Sequence, residues 1–371
     1  MKYSMTGPAV SDNCASLLRA HAFSHLPPGP ALDTCIARAT TVLEGLPVQE
    51  FATAFLEMSL RRDRPDGADI TFACTRRTGR AARFAKFLAE QPFARATAAW
   101  SRTAALLADW SGDDAPADPE LAAIETIAIE LDLRQGSGPP GPNVFLGADR
   151  TITDDAFLAG TAAVRARLSG SVEPGTAPGL APFAHLGEGC RIAGIGLMAA
   201  RGPVPLRLFL HCRGRLSCTP LVAILREGGA ADEVFALIGF LEAYTDNLSL
   251  NVDVDEASGR IRGGIGIETF FNYRSADWRD RAARLLDALS AEGLMDRMRG
   301  ETALAFAGTS RATPGVFWPR SWALVDELTG GRPLASRLDR AFSSVKVATG
   351  AGGVSDVKAY LALRPIVPFR V

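Results

Sequence analysis

The residues best suited to chemistry lie in two predicted strands near the end of the chain. The first strand, 343–349, carries Lys346 on the face opposite two valines, and the second, 356–363, carries Lys358 and Tyr360 on one face. Because strand side chains alternate between two faces, this pair combines an aliphatic face with a cationic one. The connecting segment is glycine-rich, as expected of a hairpin turn. Such lysines bind an anion if they border a cavity, and they are ordinary solvated surface if they face water.

Two earlier predicted strands extend this set of candidates. Arg207 and His211 share the polar face of one strand, and Arg262 and Glu268 share the polar face of the other. The arginines could join the lysines in holding an anion, while Glu268 or His211 could act as a general base. These residues could instead have purely structural roles. Glu268 could form an ion pair with Arg262, and a single histidine on a strand is more often structural than catalytic.

The overall composition argues against several classes of function. The 371 residues include 40 basic and 41 acidic side chains, so the net charge of −1 favours neither nucleic acid nor an anionic membrane as partner. No stretch approaches the roughly 18 apolar residues of a membrane span. The N-terminus lacks the apolar segment of a signal peptide. We therefore expect a cytoplasmic protein that binds neither nucleic acid nor membrane.

Cysteine, histidine and glycine patterns predict no cofactor and no metal. The six cysteines form no Cys-x-x-Cys pair and are expected to be reduced, mostly buried thiols. His21 and His25 are four residues apart, but no His-Glu-x-x-His pattern accompanies them. The chain also lacks a dinucleotide-binding glycine motif, a phosphate-binding loop and a Gly-x-Ser-x-Gly nucleophile elbow.

The chain is predicted to form one domain over 1–371, with a helical N-terminal part over about 1–62. That part includes a helix over 47–61, whose apolar stripe contains Phe55 and Met58. From about 68 to 371 the chain repeats one unit, a strand pair accompanied by one or two helices. These units cover about 122–168, 190–245, 247–306 and 321–363, the last beginning with a helix over 321–341.

In each strand pair one face is aliphatic and the other is polar. In strand 247–254, leucines and valines alternate with Ser249, Asn251 and Asp253. Antiparallel hairpins argue against a doubly wound parallel sheet and predict an α+β fold. The aliphatic face can be buried in an open sheet with helices on one side, or in a closed barrel of about ten strands ringed by helices. We expect the barrel, because closure removes the exposed edges and leaves room for a ligand cavity.

This arrangement resembles the αββα-barrel prenyltransferases, which include aromatic, indole and bacterial cyclic-peptide prenyltransferases. The resemblance covers most of the chain as a pattern of paired strands and outer helices. Lys358-Ala359-Tyr360 matches the Lys-x-Tyr motif that lines the barrel in that family, and Arg207, Arg262 and Lys346 occupy compatible strand positions. The chain departs from the family in having only four tyrosines, so phenylalanines would have to complete the shield around a carbocation.

The resemblance implies metal-independent transfer of a prenyl group from an allylic diphosphate to a small aromatic or peptide acceptor in natural-product biosynthesis. Glu268 would then act as the base, and Tyr360 would shield the allylic cation. The alternative is a non-catalytic protein that binds a peptide in a natural-product pathway. The residues expected to bind the substrates are Arg207, His211, Arg262, Lys346, Lys358 and Tyr360.

Overall fold

The computed structural model describes most of the chain. The described residues are 12–48, 53–65, 67–76, 80–111, 119–133, 139–148, 151–169, 178–184, 186, 189–198, 206–245, 247–255, 257–272, 275–330, 335–350 and 352–367.

Ten of the described strands close into one antiparallel barrel. The eleven described strands are β1 (Thr53–Ser59), β2 (Ala68–Thr75), β3 (Ile124–Leu131), β4 (Pro142–Ala148), β5 (Cys190–Leu197), β6 (Leu206–Arg213), β7 (Asn247–Val254), β8 (Ile261–Phe270), β9 (Gly308–Ser310), β10 (Arg337–Gly350) and β11 (Gly353–Ile366). Strands β1 to β8 pair in chain order, β8 pairs with β10, β10 with β11, and β11 with β1, which closes the ring. The short β9 pairs with the beginning of β10 and lies outside the ring. The predicted α+β fold with a closed barrel of about ten strands is therefore confirmed.

Helices accompany the barrel along the described chain. They are α1 (Cys14–His21), α2 (Pro30–Leu43), α3 (Arg80–Glu90), α4 (Pro92–Ala96), α5 (Ala98–Trp110), α6 (Asp154–Ser169), α7 (Leu221–Glu227), α8 (Asp232–Glu242), α9 (Trp278–Ala291), α10 (Arg297–Ala305) and α11 (Arg320–Leu328). Among the described residues, no helix is both long and apolar enough to cross a membrane.

The hydrophobic core joins the outer face of the barrel to the inner faces of the helices. Leu250 and Val252 of β7 are fully buried, as are Leu285 and Leu289 of α9, and all four belong to one continuous cluster. Burial of this aliphatic surface is the main force that holds the helices against the strands. Because alternate side chains point the other way, polar side chains from β1, β2, β3, β6, β7, β8, β10 and β11 line the interior of the barrel.

The helix predicted over 47–61 is wrong, because residues 53–59 form β1. This segment contains alanine, leucine, glutamate and methionine, all of which favour helix locally. Pairing with both β2 and β11 overrides that preference, since β1 closes the barrel between them. As a consequence Phe55, Glu57 and Ser59 share the inner side of the strand.

The helix predicted over 321–341 is too long. Helix α11 ends at Leu328, and Gly330 has a φ of 70°, a left-handed conformation that commonly terminates helices. Residues from Arg337 onward pair with β11 along the whole length of β10. The last strand pair is therefore much longer than the predicted strands 343–349 and 356–363.

One cysteine pair departs from the expected reduced state. Cys190 and Cys212 lie directly opposite each other on β5 and β6, with their Cα atoms 4.3 Å apart, and form a disulfide. The two cysteines are 22 residues apart along the chain and lie at the open end of the β5–β6 pair. Cys14, Cys35 and Cys74 are buried and are not part of a disulfide within the described residues, as expected.

Candidate active site

The interior of the barrel contains a cavity of about 440 Å³. One layer of its wall is charged and is contributed by Glu57, Glu130, Arg207, Glu268, Lys346 and Lys358. Toward the barrel end at which β1 begins and β8 ends, the wall consists of small and aromatic side chains. These include Phe55, Ala73, Ala128, Gly194, Phe209 and Phe270. The cavity therefore combines groups that can bind charge with an apolar surface that can accept a hydrocarbon or an aromatic ring.

Glu57 of β1 is the centre of the charged layer. Lys358 donates a hydrogen bond from Nζ to Glu57 Oε1 over 2.5 Å, and the Tyr360 hydroxyl donates to Glu57 Oε2. The Nζ of Lys346 lies 3.7 Å from Glu57 Oε2. All three partners lie on the closing strands β10 and β11, so this cluster exists only because the barrel is closed.

Lys346 lies between two carboxylates and an aromatic ring. Its Nζ is 5.0 Å from the centre of the Tyr360 ring, within the range of a cation–π interaction. Burial lowers the pKa of Lys346, and the neighbouring Lys358 and Arg207 act in the same direction, while Glu57 and Glu268 oppose them. Gly266 makes room for this side chain, since a Cβ there would lie only 3.0 Å from Lys346 Cδ.

Glu268 of β8 is a buried carboxyl group on the same wall. Burial raises its pKa, against the opposing effects of Lys346 and of a hydrogen bond from Ser344. Ser344 Oγ donates to Glu268 Oε1 over 2.6 Å and fixes its orientation. A carboxyl group whose pKa is raised towards neutrality can accept a proton from a substrate and later release it.

The pKa values of the tyrosine and the arginine of the site are both raised, for different reasons. Burial raises the pKa of Tyr360 well above its ordinary value, and Glu57 adds to that effect, so the phenol stays protonated. Burial alone would lower the pKa of Arg207, but Asp253 more than compensates and raises it. The guanidinium binds Asp253 in a bidentate manner, with N–O distances of 2.7 and 2.9 Å.

Five of the predicted site residues line this one cavity, and two do not. The five are Glu268, Arg207, Lys346, Lys358 and Tyr360.

His211 and Arg262 lie elsewhere. His211 is on the inner side of β6, with Nδ1 3.1 Å from the hydroxyl oxygen of Ser249, which does line the cavity. Arg262 has 63% of its side chain exposed and pairs with Asp255 beside the β7–β8 turn. Its position near the end of the strand removes it from the charged layer.

Two carboxylates of the cavity were not predicted. Glu57 lies within the helix predicted over 47–61, and a helix there predicts no place for it in the barrel lining. Alternation of Ala54, Leu56 and Met58 with polar or aromatic neighbours was the signal for a strand. Glu130 was visible as an acidic residue interleaved with apolar ones on β3, and its Oε1 accepts a hydrogen bond from Asn143 over 3.0 Å.

The lining is electrically balanced. Arg207, Lys346 and Lys358 face the three glutamates of the charged layer, so the formal charges cancel. An anionic ligand that bound the lysines would have to exchange places with the Glu57 carboxylate or bind beside it. Among the described residues, no group of three or more His, Cys, Asp and Glu side chains is arranged to hold a metal ion.

No protein-family model matches the chain, and no curated protein matches it. Among solved structures, the chain is similar to prenyltransferase PriB in its apo form, at 17% identity and a TM-score of 0.49, covering 95% of this chain and 97% of that one. The ternary complex of PriB with L-tryptophan and dimethylallyl thiolodiphosphate gives 17% identity and a TM-score of 0.46, over 96% and 97%. AnaPT from Neosartorya fischeri gives 9% and 0.42, over 85% of this chain and 78% of that one. At these identities the likeness concerns the fold alone.

Proposed function

We propose that this protein catalyses metal-independent transfer of a prenyl group from an allylic diphosphate to an aromatic or peptide acceptor in natural-product biosynthesis. The observation that carries the proposal is the composition of the cavity. Two lysines and a tyrosine converge on a buried carboxylate, beside a wall of phenylalanines. This wall would accommodate the prenyl chain and the acceptor ring, while the charged layer would hold the diphosphate.

Lys346 and Lys358 would bind the diphosphate oxygens by charge-assisted hydrogen bonds. The C–O bond of the allylic diphosphate then breaks, the diphosphate leaves with the electron pair, and an allylic cation remains. Fixed positive charges next to the leaving group stabilise the charge that develops on it. The faces of Tyr360, Phe209 and Phe270 would stabilise the allylic cation and exclude water from it.

The acceptor completes the reaction by attack on the allylic cation. A new bond forms between the acceptor and the prenyl carbon, and the acceptor then loses a proton. Glu268 would take that proton, because its raised pKa and its place on the cavity wall suit a general base. Glu57 is the second candidate for this role, since it is the carboxylate nearest to both lysines.

Product formation tests the proposal directly. The ternary complex of PriB contains L-tryptophan and an allylic thiolodiphosphate, so tryptophan and dimethylallyl diphosphate are the first substrates to try. A prenylated product should form in the presence of a chelator and be detected by mass spectrometry. Lys346→Met and Lys358→Met should each lower the rate by about 100-fold, in the range expected for loss of an oxyanion-stabilising group. Arg262→Met, outside the cavity, is the matched control and should leave the rate unchanged.

A peptide-binding protein without catalysis is the second candidate. The balance of three cations against three carboxylates favours it, since the lysines are already paired with Glu57. A ligand that binds only the folded state raises the melting temperature. If linear peptides raise it, whereas no allylic diphosphate does and no product forms with any aromatic acceptor, the enzyme proposal is wrong.

A further inference from the structure

Among the described residues of the cavity wall, one fully buried polar group remains without a hydrogen-bond partner, the side-chain amide of Asn251. Asn251 of β7 is only 4% exposed, and it lines the cavity between β6 and β8. Neither Nδ2 nor Oδ1 makes a hydrogen bond to any other described residue. The amide helps to lower the pKa of the nearby Glu268 carboxyl, but it does not meet the distance and angle requirements of a hydrogen bond to that group. Since both amide atoms are unpaired, this finding does not depend on which of them is nitrogen.

The neighbours of Asn251 explain why its amide lacks a partner. The two adjacent inward residues of β7 are both paired: Ser249 contacts His211, and Asp253 binds Arg207. Asn251 lies opposite Phe209 on β6 and Gly266 on β8, neither of which has a polar side chain. Buried polar groups in folded proteins are nearly always hydrogen-bonded, so an exception that faces a cavity points to a ligand.

We propose that Asn251 determines the acceptor specificity of this cavity by binding an amide or peptide group of the substrate. A carboxamide presents one donor and one acceptor side by side, and a ligand amide offers the complementary pair. A purely aromatic acceptor would leave both atoms of Asn251 buried and unpaired. The inference rests on the proposed function. It predicts that, among aromatic and peptide acceptors, the cavity prefers those that carry an amide group.

Two ligands of equal shape test this assignment. Indole-3-propionamide carries a terminal amide, and 3-(3-methylbutyl)indole carries a hydrocarbon group of the same outline. Affinities for both are measured by calorimetry on the wild type and on Asn251→Leu, without any prenyl donor. The affinity for the amide divided by the affinity for the hydrocarbon should be about tenfold larger in the wild type than in Asn251→Leu. The reason is that a site built around a polar side chain discriminates strongly against a ligand that leaves it unpaired.

Ser249→Ala is the matched control, since Ser249 lies on the same wall but already contacts His211. This variant should keep the preference of the wild type. Far-UV circular dichroism and a cooperative thermal transition check that Asn251→Leu is folded, and Asn251→Ala, which also removes the amide, provides a second variant. A preference that is unchanged within twofold in folded Asn251→Leu or Asn251→Ala overturns the inference, as does failure of the wild type to bind the amide.

Failure of the inference and failure of the proposed function give different results. If the amide preference depends on Asn251 but no prenylated product ever forms, the specificity stands and the transferase proposal falls. If prenyl transfer occurs equally well with acceptors that lack an amide, and Asn251→Leu does not change this, the transferase proposal stands and the role of Asn251 falls.

Discussion

At the scale of single residues, the cavity is organised by Glu57. Two lysines and a phenol converge on this one carboxylate, and all of these groups are largely withdrawn from water. Removing charges from water is costly, and their mutual attraction offsets the cost only while every partner is in place. The cluster is therefore sensitive to loss of any one member, and a ligand that replaces one partner must satisfy the others.

Glu57→Gln should destabilise the protein by about 3–5 kcal/mol, because it leaves the buried Lys346 and the partly buried Lys358 without their shared counter-charge. Urea unfolding at neutral pH measures this change. Glu301→Gln is the control, since Glu301 forms an exposed pair with Arg297 on α10 and should contribute about 0.5 kcal/mol or less. Equal losses in the two variants would contradict the central role of Glu57.

The Glu268→Gln variant should become increasingly stable relative to the wild type as the pH rises. Burial raises the pKa of Glu268 above its ordinary value of 4.5, so the folded protein holds this proton more tightly than the unfolded chain does. The wild type therefore loses stability relative to the glutamine variant as the pH rises through the folded-state pKa. The free energy of unfolding of both proteins, measured between pH 4 and pH 8, should give a difference that grows in favour of the variant. A difference that shrinks with rising pH would contradict this sign.

At the scale of strands and helices, two-residue alternation was enough to predict most of the barrel. Strand β7 was predicted with its observed limits, because leucines and valines alternate there with polar residues that face the cavity. The same rule failed for β1, where residues with high helix propensity are held in a strand by partners on both sides. One of those partners, β11, is about 300 residues away, so no local pattern could reveal it. This single misassignment concealed Glu57, the centre of the site.

The contact between β8 and β10 depends on a glycine. A Cβ on Gly264 would lie 1.5 Å from the carbonyl oxygen of Thr349, and the adjacent Ile265 N–H donates to Thr349 Oγ1 over 3.0 Å. Gly264→Ala should therefore force the strands apart and destabilise the protein by about 1–3 kcal/mol or more.

Gly239 of α8 provides the matched control, because a Cβ there would meet nothing within 4 Å. Gly239→Ala should stabilise the protein by up to about 1 kcal/mol, through the higher helix propensity of alanine. Thermal and urea unfolding of both variants measure the contrast. Similar effects of the two substitutions would mean that the β8–β10 contact tolerates separation of the strands.

At the scale of the whole molecule, closure of the barrel decides what the polar strand faces mean. The net charge of −1 does not predict a cavity lined by three cations and three carboxylates. On an open sheet the same lysines would be solvated and weakly paired. Inside the barrel they are buried with Glu57, and their pairing, titration and availability to a ligand become coupled.

Closure also predicts how the protein unfolds. Because β1 pairs with β11, the first and last strands of the barrel stabilise each other. We therefore expect one domain with a single cooperative transition. Two tryptophan variants report on the early and the late part of the chain separately. One keeps only Trp100 and Trp110 of α5, and the other keeps only Trp278 of α9 and Trp322 of α11. In each variant the fluorescence midpoint in urea should coincide with that of far-UV circular dichroism. Separate midpoints would show two independently folding units. The site needs strands from both the early and the late part of the chain, so it would then be lost when the less stable unit unfolds.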